Sequence, residues 1–176
     1  MSTAVSALRR ALRKDDKWAR FSVIRKAAYA PEFEKYIEEI QRMHKTRSIR
    51  VLGAQAAPSG KKIADAAMRD QSVRSRCVEI CMEITRNRNQ LAIAMNTVST
   101  YINAEYGSLL ADNGVRAITE RRSIVESLFG QAQRTLDELD TITEIADMVI
   151  KDIDQASFSI KHTVSALEIA TARERS

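Results

Sequence analysis

Apolar side chains recur every three and four residues along 61–106, and neither glycine nor proline interrupts that stretch. In a heptad frame from Ile63 the inward positions are Ile63, Ala66, Asp70, Val73, Cys77, Ile80, Ile84, Asn87, Leu91, Ala94, Val98, Tyr101 and Glu105. Ten of these thirteen are apolar. A seam sustained this long predicts one continuous helix of roughly 65–70 Å at 1.5 Å per residue. A second frame runs from 118 to 170. Thirteen of its sixteen inward positions are apolar, the exceptions being Arg121, Thr135 and Thr163. It predicts a second long helix over 115–173, with Gly130 as the single breaker and a point of bending or close approach. Residues 107–114 (GSLLADNG) read as the turn between them, with Gly107 as a C-cap and Asp112-Asn113-Gly114 as the local turn signal. A short turn between long helices implies an antiparallel hairpin.

The hairpin's expected core seam, also a candidate oligomer contact, is Ile84, Asn87, Leu91 and Val98 on one helix and Leu139, Ile142, Val149, Ile153 and Ile160 on the other. Asn87 has two readings. A polar residue in a helical seam fixes register and oligomer state, or it lies at the edge and meets water.

The N-terminal third is patterned more loosely. Val5, Leu8 and Leu12 form a stripe that Trp18, Phe21, Ile24 and Ala28 continue, so 3–30 reads as an amphipathic helix with a break at Asp15-Asp16. Pro31 suits the first turn of a further helix, with Glu32 and Glu34 near its positive end and Phe33, Ile37, Ile40 and Met43 at helical spacing. Residues 53–60 (GAQAAPSG) read as a loop. The expected fold is all-α: a long antiparallel, coiled-coil-like hairpin over 61–176, with shorter basic helices and a loop in 1–60, forming one structural unit. So thin a hairpin cannot cover both seams and its short helices. The chain is therefore expected to form a homo-oligomer or to sit in a larger assembly.

Charge changes this picture more than overall composition does. Residues 3–30 hold eight Lys and Arg against two Asp, a net +6, whereas the whole chain is +5. Residues 40–64 contain no acidic side chain. Clustered cations with nearby aromatics suit phosphate contacts, with Trp18, Phe21, Tyr29 and Tyr36 as candidates to stack on bases. The candidate nucleic-acid-binding residues are Arg9, Arg10, Arg13, Lys14, Arg42, Lys45, Arg47 and Arg50. If the helices fold back at Pro31, both clusters share a face. A basic amphipathic helix also suits an anionic membrane surface. A third reading is internal charge matching. Residues 137–154 hold seven acids against Lys151, a net −6, which could neutralise the basic segment.

No chemistry-bearing motif stands out. The two histidines are far apart, and there is no phosphate loop, HExxH, CxxC or Glu-x-x-His pair. The chain is expected not to be an enzyme and to have no catalytic residues, metal, cofactor or small-molecule substrate. Cys77 and Cys81 are four apart, share a helix face, and read as small core residues of a reducing compartment. No apolar run reaches membrane-spanning length, and no signal-peptide pattern or myristoylation glycine is visible. The expected setting is the cytoplasm or a virion.

Ile150-Lys151 followed by Phe158-Ser159-Ile160-Lys161-His162 resembles the closing helix of the UvsY-type recombination mediators of T-even phages. The resemblance covers about 25 residues. It implies a small helical oligomer that binds single-stranded DNA and helps load a recombinase. The chain has Gln155-Ala156-Ser157 where that helix usually carries an Arg, and no DNA-binding residue carries over. Two functions follow from the sequence. One is an oligomeric nucleic-acid-associated protein of a recombination or packaging system. The other is a structural scaffold that assembles through heptads and bipolar charge without binding nucleic acid.

Overall fold

The computed structural model describes residues 3–28, 33–47 and 59–174, and among them there are seven α-helices and no strand. These are α1 (Thr3–Leu12), α2 (Asp16–Ala28), α3 (Phe33–Lys45), α4 (Gly60–Glu105), α5 (Gly107–Asp112), α6 (Ile118–Ser127) and α7 (Gly130–Glu174). The all-α expectation holds, and α4 matches the first predicted long helix to within a residue at each end. Pro31 and the loop residues 53–58 lie outside the described residues.

The hairpin turn differs from expectation in kind. Gly107 does not cap α4; it is buried and begins the six-residue α5. The Asp112-Asn113-Gly114 signal closes α5 instead. Gly114 has φ +91°, its N–H donates to the Ala111 carbonyl, and the Val115 N–H donates to the Leu110 carbonyl at 2.9 Å. That pair of bonds is a Schellman cap, completed by apolar contact between residues such as the buried Leu110 and Val115.

The second long helix is interrupted where only a bend was expected. After Ser127 the Leu128 and Phe129 amides donate three residues back, to Val125 and Glu126, and α7 resumes at Gly130. The tight turn advances the seam by one residue. The frame placed Leu128 inward, yet Leu128 is half-buried and Phe129 is buried. Phe129 packs against Trp18 and Phe21, and the frame then resumes at Ala132. A glycine with no helix propensity at 130 makes the interruption cheap.

The contacts divide the chain across both long helices rather than between 1–60 and 61–176. One compact unit comprises Met1–Phe33 with Ile84–Thr141, and the other Glu34–Glu83 with Ile142–Ser176. Each unit has its own short helices and its own stretch of antiparallel pairing. The first is built on Leu8 and Leu12 of α1, Phe21 of α2, Leu91, Val98 and Ile102 of α4, and Val125, Phe129 and Leu136 beyond the turn. Its aromatic centre is a three-ring cluster, with Trp18–Phe21 centroids at 5.4 Å and Phe21–Phe129 at 5.2 Å, edge-on.

The second unit buries Ile40 of α3, Ala66, Cys77 and Ile80 of α4, and Ile142, Ala146, Val149 and Ile153 of α7. Arg74 pairs with Asp154 while Cys81 meets Asp147, so seven steps forward along α4 are seven steps back along α7. Of the expected seam, Ile84, Leu91, Val98, Leu139, Ile142, Val149 and Ile153 are buried, whereas Asn87 and Ile160 are only half-buried.

Candidate nucleic-acid interface

Helix α1 forms because its apolar residues fall on one side. Ala4, Leu8 and Leu12 are buried, which turns Arg9, Arg10, Arg13 and Lys14 outward, and all four are exposed. Arg10, Arg13 and Lys14 make no ion pair among the described residues. The helix ends where Asp15 takes over as N-cap of α2, its Oδ1 accepting the Trp18 N–H at 2.9 Å. Lys17 and Arg20 of α2 add two more exposed cations, and Lys17 Nζ lies 3.9 Å from the centre of the Tyr101 ring.

Asp15 also accepts hydrogen bonds from the Tyr101 and Tyr106 hydroxyls on Oδ2, each at 2.7 Å. Burial pushes its carboxyl up. The bonds from the Trp18 amide, the two tyrosines and the Lys17 amide outweigh that, and the group lies below its ordinary value. The tyrosine hydroxyls are raised, first by their bonds to this carboxylate. Asp15 thus fixes how the basic α1–α2 pair sits on the end of α4. Its role as a helix break is visible in the sequence; its tyrosine partners, 86 and 91 residues away, are not.

The second predicted cluster does not form a uniform basic surface. Arg42 and Lys45 on the last turn of α3 are exposed, but Arg47 is only 1% exposed. Its Nε donates to Asp70 Oδ2 at 3.0 Å, and its Nη1 and Nη2 donate to the side chain and carbonyl of Asp152. His44 Nε2 lies 3.0 Å from the same Asp152 carboxylate. Arg47 is therefore a structural clasp and not a phosphate contact. The reason is Asp70, which occupies an inward seam position and is itself 1% exposed. A carboxylate there requires a cation, and the planar guanidinium fork can serve it and a neighbour together. Arg50 lies outside the described residues. The two clusters belong to different compact units, with residues 9–14 in the first and 42–47 in the second.

Three acids of the run 137–154 pair with cations outside 3–26. In the first unit, Asp140 pairs with Arg88 at 3.0 Å. In the second, Asp154 pairs with Arg74 at 2.7 Å and Asp152 with Arg47 and His44. Charge matching within the chain is thus present, but it draws on Arg47, Arg74 and Arg88. Glu39 of α3 likewise takes a two-pronged bond from Arg76, which holds its carboxyl below the usual range.

Two predicted base-stacking residues are committed elsewhere. Phe21 is 1% exposed and Trp18 is half-buried, both in the ring cluster with Phe129. Tyr36 is half-buried, and Tyr29 lies outside the described residues. Cys77 is buried and its thiol is pushed up by burial. The Cys81 thiol is pushed up to about 11, by burial and then by Asp147 beside it. Both read as inert core thiols at neutral pH. No helix among the described residues is long and apolar enough to cross a membrane. Compared with known proteins, no family model, curated sequence or solved structure matches the chain.

Proposed function

We propose that this chain is a helical nucleic-acid-associated protein that docks on the phosphate backbone through the outward face of α1 and the turn that follows it, chiefly Arg10, Arg13 and Lys14, with Arg9, Lys17 and Arg20 beside them. One observation carries the reading. Among the described residues Arg10, Arg13 and Lys14 are exposed and form no ion pair, while Asp70, Asp154 and Asp140 are bonded to Arg47, Arg74 and Arg88. Cations held outward on a helix and its closing turn gain free energy by displacing counterions from a polyanion. The contact is non-enzymatic and reads backbone rather than sequence, since the nearby aromatic rings are packed inward. The likeness to the UvsY-type mediators points the same way.

The test is binding of labelled DNA and RNA, single- and double-stranded, over a range of salt. The combined substitution of Arg10, Arg13 and Lys14 by Gln should flatten the slope of log affinity against log salt by about two to three units, because each phosphate contact contributes roughly 0.7–0.9. Binding of vesicles containing phosphatidylserine with no binding of DNA or RNA would instead assign the face to a membrane surface.

A second reading, assembly, is favoured by a separate observation. Large apolar side chains stay exposed along both long helices, among them Met68, Met82, Met148 and Phe158. A chain that ignores DNA and RNA at low salt yet sediments as an oligomer would make the scaffold reading the correct one.

A further inference from the structure

Between α2 and α4 lies an open groove of about 500 Å³, within the usual size of ligand sites, roughly 300–1,000 Å³. Phe21 and Val98 form part of its lining, Ile24 and Ile93 line it while remaining 38% and 66% exposed, and none of its lining residues is acidic. Lys17 and Arg20 stand along its α2 side. On α4 the lining runs from Gln90 to Tyr101 at helical spacing, three turns or about 16 Å. The groove is thus apolar at its base, cationic along one edge, and helix-length. All of it lies within one compact unit.

We propose that this groove takes an amphipathic helix from a partner protein, with two or three large apolar anchors facing Ile24 and Ile93 and acidic side chains along the edge facing α2. A ridge three turns long on α4 and a shorter one, from Lys17 to Ile24, on α2 accept a third helix by the packing used in helix-in-groove recognition. Charge selects the partner. Lys17 and Arg20 favour carboxylates on one flank, and no acid in the groove competes for them. A second copy of this chain matches poorly. Its exposed run Phe158, Val164 and Ile169 carries Lys161 beside Glu168, and Met148, which does have acids nearby, is a single exposed anchor on a helix already paired in its own unit. The inference does not require phosphate binding by Arg10, Arg13 and Lys14, although Lys17 and Arg20 border both surfaces.

The probe is a fluorescent, end-capped helical peptide of roughly fourteen residues, four turns, with Leu at i, i+3, i+4 and i+7 and Glu along one flank. A twin peptide with Lys in place of Glu is the control. The wild-type chain should bind the Glu peptide saturably and the Lys peptide at least about tenfold more weakly, the cost of juxtaposed like charges. Ile93→Asp should weaken the Glu peptide by about tenfold or more by placing a carboxylate against its anchors. Ile93→Ser should weaken it less. Arg20→Glu should shift the preference toward the Lys peptide. These positions are exposed, so helicity should persist in each variant. Substituting Arg10, Arg13 and Lys14 by Gln should leave peptide binding unchanged. The proposal is overturned if the Glu peptide does not bind, or if Ile93→Asp binds it as well as wild type does. It is also overturned if dodecanoate binds the groove while the peptide does not, or if the wild type dimerises through a contact that Ile93→Asp abolishes.

Discussion

Residues 9–14 and 42–50 look alike as strings: four cations each, on or just beyond a helix, with little acid nearby. In space they part. The first run lies on α1 and its closing turn, where the inward face is apolar, and all four cations are exposed. The second includes Arg47, which faces a carboxylate placed inside the seam at Asp70 and turns inward to it. A basic run thus becomes a surface only where the residues packed beneath it are neutral. One buried acid converts a candidate ligand contact into a structural clasp.

The contrast can be broken most forcefully at Arg47. Arg47→Gln removes the guanidinium from a buried carboxylate and should cost about 3–5 kcal/mol, measured by urea unfolding. The double change Arg47→Met with Asp70→Leu should recover most of that loss. A small effect of Arg47→Gln on stability, together with a flattened salt slope for DNA, would return Arg47 to the binding surface.

Asp15 gives the intermediate effect. Asp15→Asn weakens the α2 cap and the two tyrosine bonds and should cost about 2 kcal/mol at neutral pH. The folded carboxyl lies below its unfolded value, so its contribution is complete above about pH 4 and is lost as the pH falls through the folded value. The stability gap between wild type and Asp15→Asn should therefore close on acidification below about pH 4. A gap independent of pH would mean the charge on Asp15 plays no part.

The smallest effect belongs to α1 itself. Arg10→Gln, Arg13→Gln and Lys14→Gln should each change stability by no more than about 0.5 kcal/mol, because the side chains are exposed and have no ion pair among the described residues. A larger loss in thermal unfolding would reveal a structural role for the basic face and weaken the phosphate reading.

Helix α4 was legible because propensity and heptad period agree over 46 residues with no breaker. The interruption before Gly130 was half legible. The glycine marks where the helix yields, but the one-residue advance that buries Phe129 depends on Trp18 and Phe21, more than a hundred positions earlier. Asp70 appeared as a defect in the first frame, and Arg47 as a member of a basic run. Neither reading contained the other, since 23 residues separate them and the pairing needs α3 and α4 to be packed.

The sequence by itself determined the all-α class, the extent of the first long helix, the break at Asp15 and the outward direction of the α1 cations. Each of these rests on neighbours within a few turns, where helix geometry alone says which side chains share a face. Only the tertiary structure decided which charges are spent and which remain. Whether an arginine meets water or a carboxylate depends on residues from distant helices, and the burial that makes such a pair obligatory exists only once those helices have packed.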